Sequence, residues 1–68
     1  MRLSARNQLP GRVTAVHLDT VMAEVTIDIG GASVVAAITR ISAEQLELRE
    51  GDAVTAVIKA TEILVGKE

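Results

Sequence analysis

The amino-acid sequence predicts an all-β domain of five strands in a partly open Greek-key barrel, with one short helix between strands 3 and 4. Three observations predict it. Short runs rich in β-branched residues recur through most of the chain. VMAEVTIDI alternates apolar and polar side chains with the period of two that marks a half-buried strand. Directly after it, Gly30 and Gly31 supply a tight hairpin turn.

Taken in order, GRVTAVHL (residues 11 to 18) follows Pro10, and its strand can begin as early as Leu3 and bend near Pro10 and Gly11. The second strand places Val21, Ala23, Val25, Ile27 and Ile29 on one face and Met22, Glu24, Thr26 and Asp28 on the other. The third, ASVVAAIT, is apolar on both faces over residues 34–38, whereas a strand in a small antiparallel domain normally wets one side. Its outer face is therefore expected to meet another chain, the alternative being a tight core packed with alanines. In ISAEQLELREGD, Ser42 and Gln45 make a capping box, Ile41 and Leu46 a hydrophobic staple, and Gly51 a stop. A helix of about two turns follows from those rules. AVTAVIKA and EILVG complete the set as strands 4 and 5, separated near Thr61 and Glu62. The result is an OB-like barrel, with a small SH3-like barrel as its rival.

At 68 residues the chain is one domain, residues 1–68, at the small end of what folds without a staple. With no cysteine there is no disulfide, and a zinc site would rest on the lone His17 plus carboxylates, so no direct metal coordination is expected. Apolar residues make up 49% of the chain yet none is aromatic, so Val, Ile, Leu and Ala must provide the bulk. Much of that surface has nowhere to hide in a monomer, and oligomerisation is the staple that remains. A net charge of -2 and the missing aromatics argue against nucleic acid as a partner. No apolar run approaches the roughly 18 residues that span a bilayer, and the amino terminus lacks a secretory core. No membrane partner and a cytoplasmic location are the corresponding expectations.

The sequence offers no catalytic set, so the chain is not expected to be an enzyme. His17 is alone in a strand, and Glu24 and Asp28 share a polar strand face that reads as solvated. Anion binding has more support. Ser4 and Arg6 are two positions apart, so an extended chain sends a hydroxyl and a guanidinium to the same side. Lys59 interrupts the otherwise apolar run VTAVIKATEILV, and either snorkels outward or directs its ammonium at something negative. Ser42 as N-cap keeps its own proton free to donate, and Thr39 lies three residues earlier. Ser4, Arg6, Thr39, Ser42 and Lys59 are all donors, an inventory suited to an ionised oxyanion that only accepts. Spacing does not show whether they converge.

Four stretches carry a resemblance: SARNQLPGRV, TVMAEV, VVAAITRISAEQL and GDAVTAVIKATEILV, together nearly the whole chain. In these the sequence resembles the molbindins, the small molybdenum-pterin-binding proteins of the Mop, TOBE-type family. The resemblance implies an OB-like domain that assembles as a homo-oligomeric hexamer, a trimer of dimers, and holds molybdate or tungstate between subunits for intracellular molybdenum storage and homeostasis. Carried over by motif, Ser4 and Arg6 of SARN, Thr39 and Ser42 of ITRIS, and Lys59 of IKATE match oxyanion ligands. Asp19 departs from the family pattern, where glycine is common, which questions the turn at residues 18–20, and Ile41 stands at a position often charged. The competing expectation is an oligomeric scaffold or interaction module whose donors serve only subunit contacts.

Overall fold

Strand pairing organises the chain, and in a computed structural model that describes all 68 residues the elements run β1 (Asn7–Leu18), β2 (Met22–Asp28), β3 (Ser33–Thr39), α1 (Arg40–Gln45) and β4 (Ala53–Ile58). A single 3₁₀ turn, Ala60–Glu62, follows β4. All pairings are antiparallel, in the order β3-β2-β1-β4. The long β1 bridges the sheet: residues from Asn7 to Arg12 pair with β4, and from Arg12 onward with β2. Thr14 is the extra residue of a bulge at the crossover, where the register shifts between Val13 and Ala15. Pro10 is tolerated inside the strand because only β4 pairs with that stretch, leaving the other side free of a ladder bond that its missing N–H would break.

Gly11 is required by close approach. A Cβ there would sit 2.6 Å from the Asp28 carbonyl oxygen and 2.7 Å from Ile27 Cγ2, so only glycine lets β1 cross β2 at this point. The β2–β3 hairpin uses Gly30 and Gly31 at φ 91° and 83°, with Asp28 Oδ1 accepting from the Gly30 amide at 2.9 Å. Asp19 needs no such conformation. Its turn closes through the Asp19 amide bonding to Met22 O at 2.9 Å, with an ordinary negative φ.

The alternation in β2 buries the expected face. Ala23, Val25 and Ile27 are buried, and with Val13 and Ala56 they form most of the core. Val21 lies before the strand and is exposed, while Ile29 packs partly against the core. In β3, Val34, Ala36 and Ile38 turn inward and Val35 and Ala37 outward, so the outer face is uncovered in the single chain rather than packed with alanines. Only 6 of 68 residues are buried, which is little core for a domain of this size.

Five expectations need correction. The sheet has four strands rather than five: EILVG has no neighbouring strand to pair with, and its first residue belongs to the 3₁₀ turn. The first strand starts at Asn7, and Leu3 lies outside it. The helix is capped by Thr39 rather than Ser42. Thr39 ends β3 in extended geometry, at φ −70° and ψ 149°, which is the backbone an N-cap needs, and its Oγ1 accepts from the Ser42 amide at 3.1 Å. That moves the capping register back by three, and Ile41 and Leu46, offered as a staple, both stay exposed. At the other end Glu47, at φ 51°, provides the stop that was expected of Gly51. The amides of Leu48 and Glu47 bond to Ala43 O at 3.2 Å and Glu44 O at 3.0 Å, the paired bonds of a Schellman stop. Gly51 serves the turn into β4, its amide bonding to Val13 O at 2.8 Å.

Candidate functional site

The amino-terminal arm is tied to the end of β4 by two side-chain bonds. Asn7 Nδ2 donates to Ile58 O at 3.2 Å, and Gln8 Nε2 donates to Ala5 O at 3.0 Å. The first bond fixes the start of β1 beside the last residue of β4, and the second curls the arm. The chain bends at Ser4 and Arg6 rather than running extended, yet both residues line one cleft of about 150 Å³ with Ala5, Lys59, Ala60 and Thr61. Opposite ends of the sequence thus supply a hydroxyl, a guanidinium and an ammonium to a single surface.

No carboxylate lines this cleft. Neither Arg6 nor Lys59 is ion-paired, the one salt bridge being Arg40 Nε to Glu44 Oε1 at 3.6 Å on α1. Lys59 sits at the N-cap of the 3₁₀ turn, just past β4, where its side chain is exposed. The turn adds donors that the sequence reading missed. Its first amides, Ala60 and Thr61, have no partner inside an i→i+3 turn, and Thr61 contributes a hydroxyl. Asn7 and Gln8 were missed too, as the residues that position the arm. The signal was present in their adjacency to Ser4 and Arg6, but their partners are not local and only folding reveals them.

Thr39 and Ser42 are together but elsewhere. Thr39 Oγ1 donates to Ser42 Oγ at 2.8 Å while accepting from the Ser42 amide, so the two hydroxyls share one bond and Ser42 keeps a proton to give. Thr39 pairs with Met22, beyond the Leu18 end of β1, whereas Arg6 precedes its Asn7 end. Eleven residue steps of strand separate those ends, a contour of about 36 Å at ~3.3 Å per residue. Neither hydroxyl residue lines the Ser4, Arg6 and Lys59 cleft. The five donors therefore form two groups in one chain. A tetrahedral oxyanion is only a few ångströms across, so no single copy closes all five around it.

Electrostatically the groups differ as well. The cleft beside Thr39 also contains Arg40 and Glu44, a cation already matched by an acid, and Arg40 Nη1 donates to Asp19 O at 3.2 Å. The arm cleft carries two uncompensated cations. No group of three or more His, Cys, Asp or Glu side chains is gathered for direct metal coordination, and His17 lies exposed across from Glu24 on the outer face. No helix is long and apolar enough to cross a membrane.

Comparison with known proteins identifies the family. The TOBE domain model matches residues 3–65. Molybdenum-pterin-binding protein 3 of Clostridium pasteurianum is 47% identical over 66 residues, covering 96% of this chain and 97% of that one. A probable molybdenum-pterin-binding protein of Haemophilus influenzae is 44% identical over the full length of both. The solved structure of a molybdate binding protein from Sporomusa ovata superposes with a TM-score of 0.93 at 46% identity, covering 98% of this chain and all of that one. With the family model and full-length relatives in agreement, this chain belongs to the TOBE domain family, alongside small molybdenum-pterin-binding proteins.

Proposed function

We propose that this chain binds molybdate, with tungstate as an alternative guest, at interfaces between copies of itself, and so stores or buffers molybdenum inside the cell without catalysing a reaction. The observation that carries the reading is the cleft where Ser4, Arg6 and Lys59 meet with no acid among them. Two unpaired cations exposed side by side repel each other mildly and stabilise nothing in the fold. A bound dianion gives them a partner. The relatives' printed names, which specify molybdenum-pterin or molybdate binding, point to the same ligand class.

Arg6 and Lys59 would supply charge, while the Ser4 and Thr61 hydroxyls and the turn's amides would supply direction to oxygens that only accept. Each hydrogen bond to a charged group contributes on the order of 1.5–3 kcal/mol, and micromolar affinity needs only about 8 kcal/mol net. A few such donors suffice even after desolvation is subtracted. The overall charge of -2 is no obstacle, because the local field governs an ion held at contact distance.

The interface location is supported by the separation of the two donor groups and by the thin core. Thr39 and Ser42 reach the same anion as Arg6 and Lys59 only if a second copy presents them. A hexamer arranged as a trimer of dimers is the assembly this reading adopts, and the uncovered β3 face, with Val35 64% exposed, is one surface it would cover. Ligands drawn from several copies couple filling to assembly, since an ion that binds only the associated form stabilises it.

Isothermal titration of molybdate into Arg6→Ala and Lys59→Ala tests the site. Each variant is expected to bind at least tenfold more weakly with its melting temperature unchanged. Wild-type affinity in both would remove the proposed site, and a wild-type protein that retains no molybdate or tungstate in equilibrium dialysis would leave an oligomeric scaffold in its place.

A further inference from the structure

Residues 1–6 make no backbone–backbone hydrogen bond: the strand ladder begins at Asn7, and none of the turn and loop bonds outside it involves the arm. Chain ends without such ties are ordinarily loose. What holds this one is a pair of carboxamides. Gln8 Nε2 donates to Ala5 O within the arm, and Asn7 Nδ2 donates to Ile58 O at 3.2 Å, across 51 positions of sequence. The placement of the second bond is specific. Asn7 directly follows Arg6 and Ile58 directly precedes Lys59, so the bond joins the two residues that adjoin the cations of the donor cleft. Asn7 and Ile58 also face each other in the β1–β4 ladder, and both are half-buried, whereas Arg6 and Lys59 are exposed.

We propose that Asn7 is a positioning residue for the oxyanion, setting its affinity through Arg6 by holding the guanidinium beside Lys59 before any ligand arrives. The inference deepens the molybdate reading above and rests on it.

Two like charges lining one cleft repel, and they are not equally anchored. Lys59 follows the last residue of β4 and starts the 3₁₀ turn, while Arg6 lies at a bend ahead of β1, so Arg6 is the one that can swing away. An arm that spends only part of its time in the binding geometry weakens apparent affinity in proportion to that fraction. A bond already made in the free protein removes the loss beforehand. The residue type suits the task. A carboxamide offers N–H donors to a carbonyl and carries no charge. Aspartate, of the same shape, would set an acceptor against the Ile58 carbonyl and a negative charge beside the anion. A basic side chain would donate but add a third cation to the repulsion. Gln8 curls the arm without reaching β4, so Asn7 alone links the guanidinium to the strand that carries the ammonium.

A double-mutant cycle on the full chain, read by isothermal titration with molybdate, tests this. Asn7→Leu keeps the branched outline of the side chain and deletes the donor. It is expected to raise the Kd at least fivefold in the wild-type background and less than twofold in the Arg6→Ala background, where no guanidinium is left to hold. Equal factors in both backgrounds would mean that Asn7 serves the fold at large, and no change in either would mean that the arm is ordered without it; each overturns the proposal. Relaxation of ¹⁵N in ligand-free protein gives a second reading. The order parameters of Ala5 and Arg6 should be near 0.85 in wild type and below about 0.6 in Asn7→Leu, with β2 unchanged. An arm already mobile in wild type, or still rigid in Asn7→Leu, would contradict the clamp. A wild-type protein that binds no molybdate defeats the oxyanion reading itself, whereas binding that Arg6→Ala weakens and Asn7→Leu does not defeats only the positioning role.

Discussion

The two groups of donors make an instructive contrast. At the β3–α1 junction, Thr39 and Ser42 satisfy each other and the first turn of the helix, and the neighbouring Arg40 is matched by Glu44. The Thr39 hydroxyl, the Ser42 amide and the Arg40–Glu44 pair all have structural uses there. Beside the amino terminus, Ser4, Arg6 and Lys59 share a cleft in which no carboxylate answers either cation. The first group would be retained by a protein that bound nothing. The second has no such structural use, and under the proposed function the difference separates effects on stability from effects on binding.

Reversing charge at the cleft should widen that contrast most. Arg6→Glu is expected to weaken molybdate binding a hundredfold or more, about 2.7 kcal/mol, because it replaces a donor with a repelling acceptor. Its unfolding free energy should stay within about 0.5 kcal/mol of wild type, as is usual for exposed positions. Calorimetric titration and urea denaturation check the two halves. A large stability loss would mean that Arg6 serves the fold after all.

Next comes the strand that joins the regions. Gly11→Ala forces a methyl against the Asp28 carbonyl and Ile27, and should destabilise the chain by about 2–3 kcal/mol, read as a lower urea midpoint. Because Gly11 touches neither donor group, whatever fraction stays folded should bind molybdate with wild-type affinity per folded chain.

Smaller effects belong to the cap. Thr39→Ala should cost about 1 kcal/mol of stability through the lost N-cap, seen as a lower melting temperature. Ser42→Ala keeps the Thr39 oxygen on the helix and should lower stability by less than about 0.5 kcal/mol. If a second copy presents Ser42 to the anion, the same substitution weakens binding severalfold. This pair sharpens the comparison because Thr39→Ala should cost more stability than Ser42→Ala, whereas both substitutions weaken binding if a second copy presents the two hydroxyls.

What could be read from the chain divides along the same line. The second strand was legible because alternation over VMAEVTIDI is a local signal that any one-sided sheet preserves. The cap was misplaced by three residues because Thr39 and Ser42 are both competent caps. The choice between them is made by the pairing of Thr39 with Met22, which holds Thr39 extended. EILVG has strand composition, yet a strand exists only beside a partner, and the single chain provides none at that position. Thr61 and the amides of the 3₁₀ turn were missed, but the donor types of Ser4, Arg6 and Lys59 were visible in the sequence. Their grouping was not, because it depends on Asn7 reaching Ile58 across the length of the chain.

Native mass spectrometry with and without molybdate tests the central claim most directly, since it counts subunits and bound ions in one spectrum. Oxyanions carried by assembled particles and absent from residual monomer are the predicted result. Monomers that carry molybdate as fully as the assembly would contradict a site built from more than one copy.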